Sequence, residues 1–197
     1  MEQNDKSEFF DLVNSYFAVS RIENIVRRIK MINNLKKCEY GKNLFVYEGN
    51  YDSNEWEQMD IIIDEERDIE YAENCIQHFE NMSEEMKQNL CSALIRYCER
   101  FRQFAIEADD DFDVPEIHQV KDILNYVYLS TIHVEDTEGN SIIGYSIEGS
   151  CDWEVEHGVQ IIIRDKDILY VGAYEGVNVW DEKDSYINEW NFALNSY

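Results

Sequence analysis

The feature that most constrains the fold is a change in hydrophobic period partway along the chain. In the middle third, apolar residues recur at three- and four-residue steps, which is typical of amphipathic helices. The clearest of these stripes consists of Met86, Leu90, Leu94, Tyr97, Phe101 and Phe104. From residue 128 onward the period is two, which indicates strands. Because helices and strands fall in separate blocks, the sequence predicts an α+β fold with an antiparallel sheet.

We predict about six strands and a block of three helices. Two strands precede the helices, at 43–49 and 56–63, and four follow them, at 130–137, 141–148, 159–164 and 168–174. The helical stripes run from Ile69 to Phe79, from Ser83 to Phe104, and from Pro115 to Val127. Each strand run is bounded by turn-forming residues, as strands in antiparallel sheets are.

Two further segments flank this α+β core, which we place at residues 43–175. Apolar residues at helical spacing predict an N-terminal helical segment over residues 8–37, ending at 38. The tail, residues 180–197, is predicted to pack back as a helix. With one proline and no linker-like stretch in 197 residues, we expect a single domain over 1–197.

Charge restricts the class of partner. The chain carries 42 Asp and Glu against 17 Lys and Arg, a formal net charge of −25. The first fifty residues are nearly balanced, so the acidity belongs to residues 51–197. Nucleic-acid binding requires Lys and Arg for phosphate contacts, so we expect no nucleic-acid partner. The composition instead favours a basic protein partner, because complementary fields accelerate encounter.

Localisation follows from what the sequence lacks. The polar start of the chain has no apolar region of a signal peptide, and the densest apolar run is only Ile61-Ile62-Ile63. The five cysteines are odd in number and widely spaced, which favours free thiols in a reducing compartment. We therefore expect a cytoplasmic protein with no membrane partner.

The densest acidic group is the candidate partner-binding site. It consists of Asp109, Asp110, Asp111, Asp113 and Glu116. An EF-hand calcium loop that starts at Asp109 needs glycine and glutamate where this chain has Val114 and Val120. The cysteines and histidines also lack the spacing of zinc ligands. We predict neither a metal nor a cofactor.

One short segment, residues 151–158, concentrates groups capable of chemistry. Cys151, Glu156 and His157 could form a Cys–His or Glu–His pair of a small hydrolase. The alternative is that Trp153 packs in the core while His157 satisfies backbone groups at a strand end. Since no orienting group or oxyanion donors are recognisable, we favour the structural interpretation and predict no catalytic residue.

The same segment carries a family resemblance. Trp153-Glu154-Val155-Glu156-His157-Gly158, with the hairpin after it, resembles the W-[DE]-x-E-H-G signature of small uncharacterised bacterial domains of unknown function. Tyr47-Glu48-Gly49 and Trp56 suit the same pattern, and the resemblance covers residues 43–175. Such domains resemble, in size, acidity and architecture, the immunity proteins that neutralise toxins of polymorphic toxin systems.

Two hypotheses of different classes result. The favoured one is an acidic binding protein of the immunity type that neutralises a basic toxin and is not an enzyme. The alternative is a small hydrolase that uses the cluster near residues 151–157. A hydrolase requires a deep pocket that joins those side chains, whereas a binding protein requires an exposed acidic surface with Trp153 buried.

Overall fold

The described part of the chain folds into seven strands and two α-helices. A computed structural model describes residues 31–40, 44–65, 67–108, 114–136 and 141–194. The strands are β1 (Asn33–Glu39), β2 (Phe45–Asp52), β3 (Gln58–Asp64), β4 (Val127–Val134), β5 (Gly144–Cys151), β6 (Glu154–Arg164) and β7 (Asp167–Gly172). The helices are α1 (Ile69–Glu80) and α2 (Glu84–Ala108), with short 3₁₀ helices at Val120–Tyr126 and Lys183–Tyr186.

All seven strands form one sheet in chain order. Five neighbouring pairs are antiparallel, and β3 and β4 are parallel, with Ile61 opposite Ile132. A parallel pair requires a long crossover, and both α-helices lie in it. The predicted α+β class is confirmed. The expectation of a purely antiparallel sheet is wrong at β3–β4, because the helical crossover carries the chain from the end of β3 back to the end of the sheet at which β3 begins.

The first unpredicted element is β1. The predicted helix over 8–37 is wrong at its C-terminal end, where β1 begins at Asn33 and pairs with β2. Ile32 is buried and lies close to Gly49 of β2, where an added Cβ would come within 2.6 Å of it. That contact joins this part of the chain to the sheet edge. The remainder of the predicted N-terminal helix lies outside the described residues.

Two predicted helices are shorter than expected. The segment from Pro115 to Val127 contains only a seven-residue 3₁₀ helix, Val120–Tyr126, of which Ile123 is the buried residue. The apolar residues of this segment do not form one buried stripe, since Val120, which belongs to the helical pattern, is 46% exposed. Within the described part of the tail, 180–194, the helix is the short 3₁₀ turn Lys183–Tyr186 instead of an α-helix.

The two α-helices cover one face of the sheet. The Asp68 side chain accepts from the Tyr71 N–H and caps α1. Phe79 of α1 meets Tyr145 of β5 edge to face, with ring centroids 6.4 Å apart. From α2, Tyr97 contacts the Trp153 ring at 5.6 Å. The buried residues of the strands on this face include Met59, Ile61, Ile63, Ile132, Ile147, Ile161 and Ile163.

The C-terminal segment, residues 173–187, covers part of the opposite face. Its Val179 and Tyr186 form a buried cluster with Ile162 of β6 and Tyr170 of β7. Gln160 of β6 donates to the Val177 carbonyl at 2.9 Å and ties the segment to the sheet. This cover extends over β6, β7 and the Gly144 end of β5. The same face of β1–β4, with Glu148 of β5, carries mostly polar side chains. No helix in the described ranges is long and apolar enough to cross a membrane.

Candidate functional site

The polar face of the sheet is the candidate site. Met59, Ile61 and Ile63 are buried under the helices, so the alternate residues Asp60 and Ile62 point to the opposite side. Strand register then places the partners of these residues on the same side. We define the polar face as Lys36, Glu48, Asn50, Asp60, Ile62, Thr131, His133 and Glu148.

One row of this face crosses four strands in register. Asn50 pairs with Asp60, Asp60 with Thr131, and Thr131 with Glu148. Neighbouring strands lie about 4.8 Å apart, so the Asp60 and Glu148 backbones are roughly 10 Å apart across the sheet. The row therefore presents two carboxylates that are spaced to meet separate cations of a partner.

Glu48 is the most strongly stabilised carboxylate of the polar face. It accepts from the Tyr40 hydroxyl at 2.7 Å, and the Lys36 ammonium lies 2.9 Å from its other oxygen. The Tyr40 hydrogen bond, followed by that of Lys36, lowers the pKa of Glu48 to about 2. Because both bonds favour the charged form, Glu48 is ionised at every pH near neutrality.

His133 and Glu148 form the second polar contact of the face. The His133 Nε2 lies 3.0 Å from Glu148 Oε2, and the side chains are 22% and 41% exposed. In the next row His133 lies beside Ile62 of β3, which is half-buried. Ile62 thus places an apolar side chain between the Glu48 and His133 positions.

A groove of about 580 Å³ runs along the outer part of this face. Its lining includes Asn34, Lys36, Tyr40, Glu48, Asn50, Asp60, Ile62 and Thr131. Most of its lining side chains are polar, and the groove is open to solvent. It is a surface that can receive side chains of a partner.

A half-buried carboxyl marks the border between the polar face and the C-terminal segment. Glu135 follows β4 and accepts from the Val179 N–H at 2.8 Å. Burial raises the pKa of Glu135 to about 7, and the nearby carboxylates of Asp64 and Asp181 add to the effect. The border between covered and uncovered sheet therefore contains a group that titrates near neutrality.

A family model described as Domain of unknown function (DUF6985) matches residues 35–179 of this chain. That range is well over half of its length. The chain belongs to the DUF6985 family. No curated protein and no solved structure matches it.

The DUF6985 match extends from β1 to Val179, the residue that binds Glu135. All of the polar face therefore lies inside the DUF6985 range. The predicted resemblance to domains of unknown function over 43–175 is confirmed at this level. The W-[DE]-x-E-H-G signature as a family mark, and the relation to immunity proteins, stay predictions.

Within the DUF6985 domain, the structure separates the three candidate catalytic residues. Cys151 ends β5 and is buried, and burial raises the pKa of its thiol to about 12. Its Sγ lies 3.7 Å from the carbonyl oxygens of Glu154 and Gly158. His157 and Glu156 are exposed on β6. A neutral buried thiol beside two carbonyls is not an activated nucleophile.

The partner of His157 is Glu154 and not Glu156. His157 Nδ1 lies 3.4 Å from Glu154 Oε1, the atom that also accepts from the Glu156 and His157 N–H groups. Glu154 therefore closes a local turn at the start of β6. Trp153, in the two-residue turn between β5 and β6, is fully buried. Trp153 therefore lies in the core. The His157 ring lies against a carboxylate and not against the backbone groups that the structural interpretation assigned to it.

The acidic group proposed for partner binding lies mostly outside the described residues. Asp109, Asp110, Asp111 and Asp113 are not described, and Glu116 is exposed. Sequence analysis did not find the polar face. The available signal was the alternation Gln58-Met59-Asp60-Ile61, which indicates a strand with one polar side. Within the ranges that the structure describes, no three His, Cys, Asp or Glu side chains come together as metal ligands.

Proposed function

We propose that this protein is a binding module that captures a basic protein on its polar face, and that the partner is a toxin neutralised in the manner of an immunity protein. The observation that supports this most is the set of three carboxylates on the uncovered part of the sheet. Glu48, Asp60 and Glu148 lie on that face, in a chain of net charge −25.

Charge provides both attraction and orientation. The hydrogen bonds of Glu48 keep it ionised, so that its charge is permanent. Asp60 and Glu148 occupy alternate positions of one row, which favours a partner surface with cations at matching spacing. Such complementary surfaces accelerate encounter and exclude partners of the wrong charge. The half-buried Ile62 provides an apolar contact within the polar surroundings, as is usual in protein interfaces.

The alternative, a small hydrolase that uses Cys151, Glu156 and His157, has weaker support. Its nucleophile would be a buried thiol whose pKa is raised to about 12. The nearest carboxylate to His157 is engaged by two backbone N–H groups. The binding hypothesis requires neither an activated nucleophile nor a deep pocket.

The test begins with the reading frames adjacent to this one. We expect one of them to encode a large protein with a basic C-terminal domain whose expression stops growth. Co-expression of the present chain should restore growth. The purified basic domain should bind the present chain in biolayer interferometry, with an association rate that falls as salt is added.

A matched pair of variants locates the site. The first carries Glu48→Gln, Asp60→Asn and Glu148→Gln, and the control carries Glu85→Gln, Glu107→Gln and Glu189→Gln. Both remove three exposed or half-exposed carboxylates, and the control positions lie on α2 and just after the C-terminal segment. At low salt we expect the polar-face variant to associate roughly tenfold more slowly, a typical size for electrostatic steering.

Two results would contradict the proposal. Equal losses in both variants would mean that total charge matters and the polar face does not. Adjacent frames that encode no basic protein able to bind this chain would refute the toxin as partner.

A further inference from the structure

A second cavity lies away from the polar face, between α2, the turn that joins β6 to β7, and the C-terminal segment. Its volume is about 480 Å³. Apolar side chains form much of its wall: Met86, Ala93, Ile168, Leu169, Ala193 and Leu194. Three cations, Arg96, Lys166 and Lys183, complete it, with Asp167 as the carboxylate of the lining. The lining is thus positively charged in a protein of net charge −25.

These three cations differ from the other described ones in their partners. Five of the others form ion pairs with carboxylates: Lys36, Lys37, Lys87, Arg102 and Lys121. Arg67, Arg100 and Arg164 lie over aromatic rings. Among the described residues, no carboxylate lies within ion-pair distance of Arg96, Lys166 or Lys183. The described cations without a carboxylate or ring partner therefore all line one cavity.

Arg96 is held in place by a neutral group. Its Nε and Nη2 both donate to the Phe192 carbonyl, at 2.9 and 2.6 Å. This pair of bonds fixes the guanidinium plane without balancing its charge, and burial lowers the pKa of Arg96. An anion that enters the cavity would meet a fixed, partly desolvated guanidinium, the arrangement that favours charge-assisted hydrogen bonds.

We propose that this cavity binds a small organic oxyanion, whose phosphate or carboxylate group contacts Arg96, Lys166 and Lys183. The volume lies in the range of small-molecule sites and greatly exceeds what one inorganic phosphate fills. The remainder of the ligand therefore contacts the apolar wall formed by Ile168, Leu169 and Leu194. This site is separate from the polar face and does not depend on the proposed toxin partner.

Isothermal titration calorimetry of the full chain with four probes tests the proposal. The probes are phenyl phosphate, 3-phenylpropionate, inorganic phosphate and the neutral benzyl alcohol. We expect saturable binding of at least one aromatic anion, tighter than inorganic phosphate and the alcohol by about tenfold or more, the ratio that corresponds to one additional good contact. The comparison of the two anions distinguishes a phosphate from a carboxylate site.

Charge-neutralising variants assign the binding to this cavity. Lys166→Gln combined with Lys183→Gln alters two exposed side chains, so the fold is expected to tolerate it, and Arg96→Gln removes the fixed guanidinium. The control is Lys87→Gln combined with Lys121→Gln, which removes the same charge from lysines paired with Glu55 and Glu84. We expect the cavity variants to weaken binding about tenfold or more and the control to leave it unchanged.

Three outcomes would overturn the proposal. These are the absence of saturable binding by either aromatic anion, an equal loss in the cavity and control variants, and binding of inorganic phosphate as tight as that of both aromatic anions. The last result would mean that the apolar wall makes no contact with the ligand.

Discussion

The backbone N–H of Val179 donates to the Glu135 carboxylate at 2.8 Å. This bond joins the C-terminal segment to the end of β4, at the border of the polar face. Because Glu135 is partly desolvated and lies near Asp64 and Asp181, its pKa is raised to about 7. The segment that covers β5–β7 is therefore anchored by a carboxyl whose charged form is costly.

The first prediction concerns the pH dependence of stability. The folded pKa of Glu135 lies above its ordinary value of 4.5, so the folded chain holds a proton that the unfolded chain has lost. The stabilising contribution is present below about pH 4.5 and is lost as pH rises through about 7. Glu135→Gln removes this titration and retains an acceptor for the Val179 N–H.

We therefore expect the wild type to lose more stability than Glu135→Gln between pH 5 and pH 8. Urea unfolding at both pH values measures the difference, and the variant corrects for the repulsion of all other carboxylates. Parallel pH curves for the two proteins would show that Glu135 does not titrate in this range.

The second prediction concerns Trp153 in the core. Its side chain is fully buried and contacts Tyr97 edge to face. Trp153→Ala should lower the free energy of unfolding by about 3–5 kcal/mol, because it leaves a cavity. Trp153→Phe should cost less, since Nε1 makes no hydrogen bond among the described residues. Urea unfolding provides both values. Unchanged stability together with lost partner binding would instead make Trp153 an interface residue.

The third prediction concerns Asn191, which binds the outer edge of β7. Its Nδ2 donates to the Leu169 and Tyr186 carbonyls, and its Oδ1 accepts from the Val171 N–H. Asn191→Asp keeps the shape but places a buried charge against two carbonyls. At pH 8 we expect a loss of about 3 kcal/mol or more in the free energy of unfolding.

Asn125→Asp is the matched control for this change, because Asn125 is exposed. Its free energy of unfolding should change by less than about 0.5 kcal/mol. Similar losses in the two variants would indicate general charge repulsion and not the loss of the Asn191 contacts.

The fourth prediction compares the acidic group at residues 109–113 with the polar face. Replacement of Asp109, Asp110, Asp111 and Asp113 by Asn should flatten the salt dependence of partner association if those residues steer the partner. Association rates are measured from low salt to about 0.5 M, a range over which the Debye length falls severalfold. We expect both this variant and the polar-face variant to have reduced slopes. A wild-type rate that is insensitive to salt would exclude charge steering altogether.

Elements whose stability depends on residues close in sequence were predicted correctly, and elements that depend on distant partners were not. The α2 stripe was predicted correctly because one helix buries its own periodic face: Met86, Leu90, Leu94 and Tyr97 are all buried. β1 was missed because its residues are mostly exposed and it exists through pairing with β2. The helix predicted after Pro115 is longer than the observed 3₁₀ helix. Helical spacing alone does not show whether the rest of the fold offers a surface against which the apolar side chains can pack.

The candidate site was harder to predict for the same reason. Asp60, Thr131 and Glu148 lie on three strands, and only the parallel pairing of β3 with β4 brings them into one row. Nothing in the local sequence of β3 specifies that β4 is its neighbour in the sheet. The cluster at 151–158 shows the converse. Its residues are adjacent in sequence, but a tight turn places Cys151 and Trp153 in the core and Glu156 and His157 on the surface.

The sequence alone determined the α+β class, the approximate positions of β2–β7, the two long helices and the acidity, because hydrophobic period and charge are local properties. The tertiary structure decided which strands are neighbours, which face the helices cover, and where the C-terminal segment packs. Those features depend on contacts between distant residues, such as Val179 with Glu135 and Trp180 over Gly144. The polar face and the cationic cavity both arise from such contacts, so they became visible only in the folded chain.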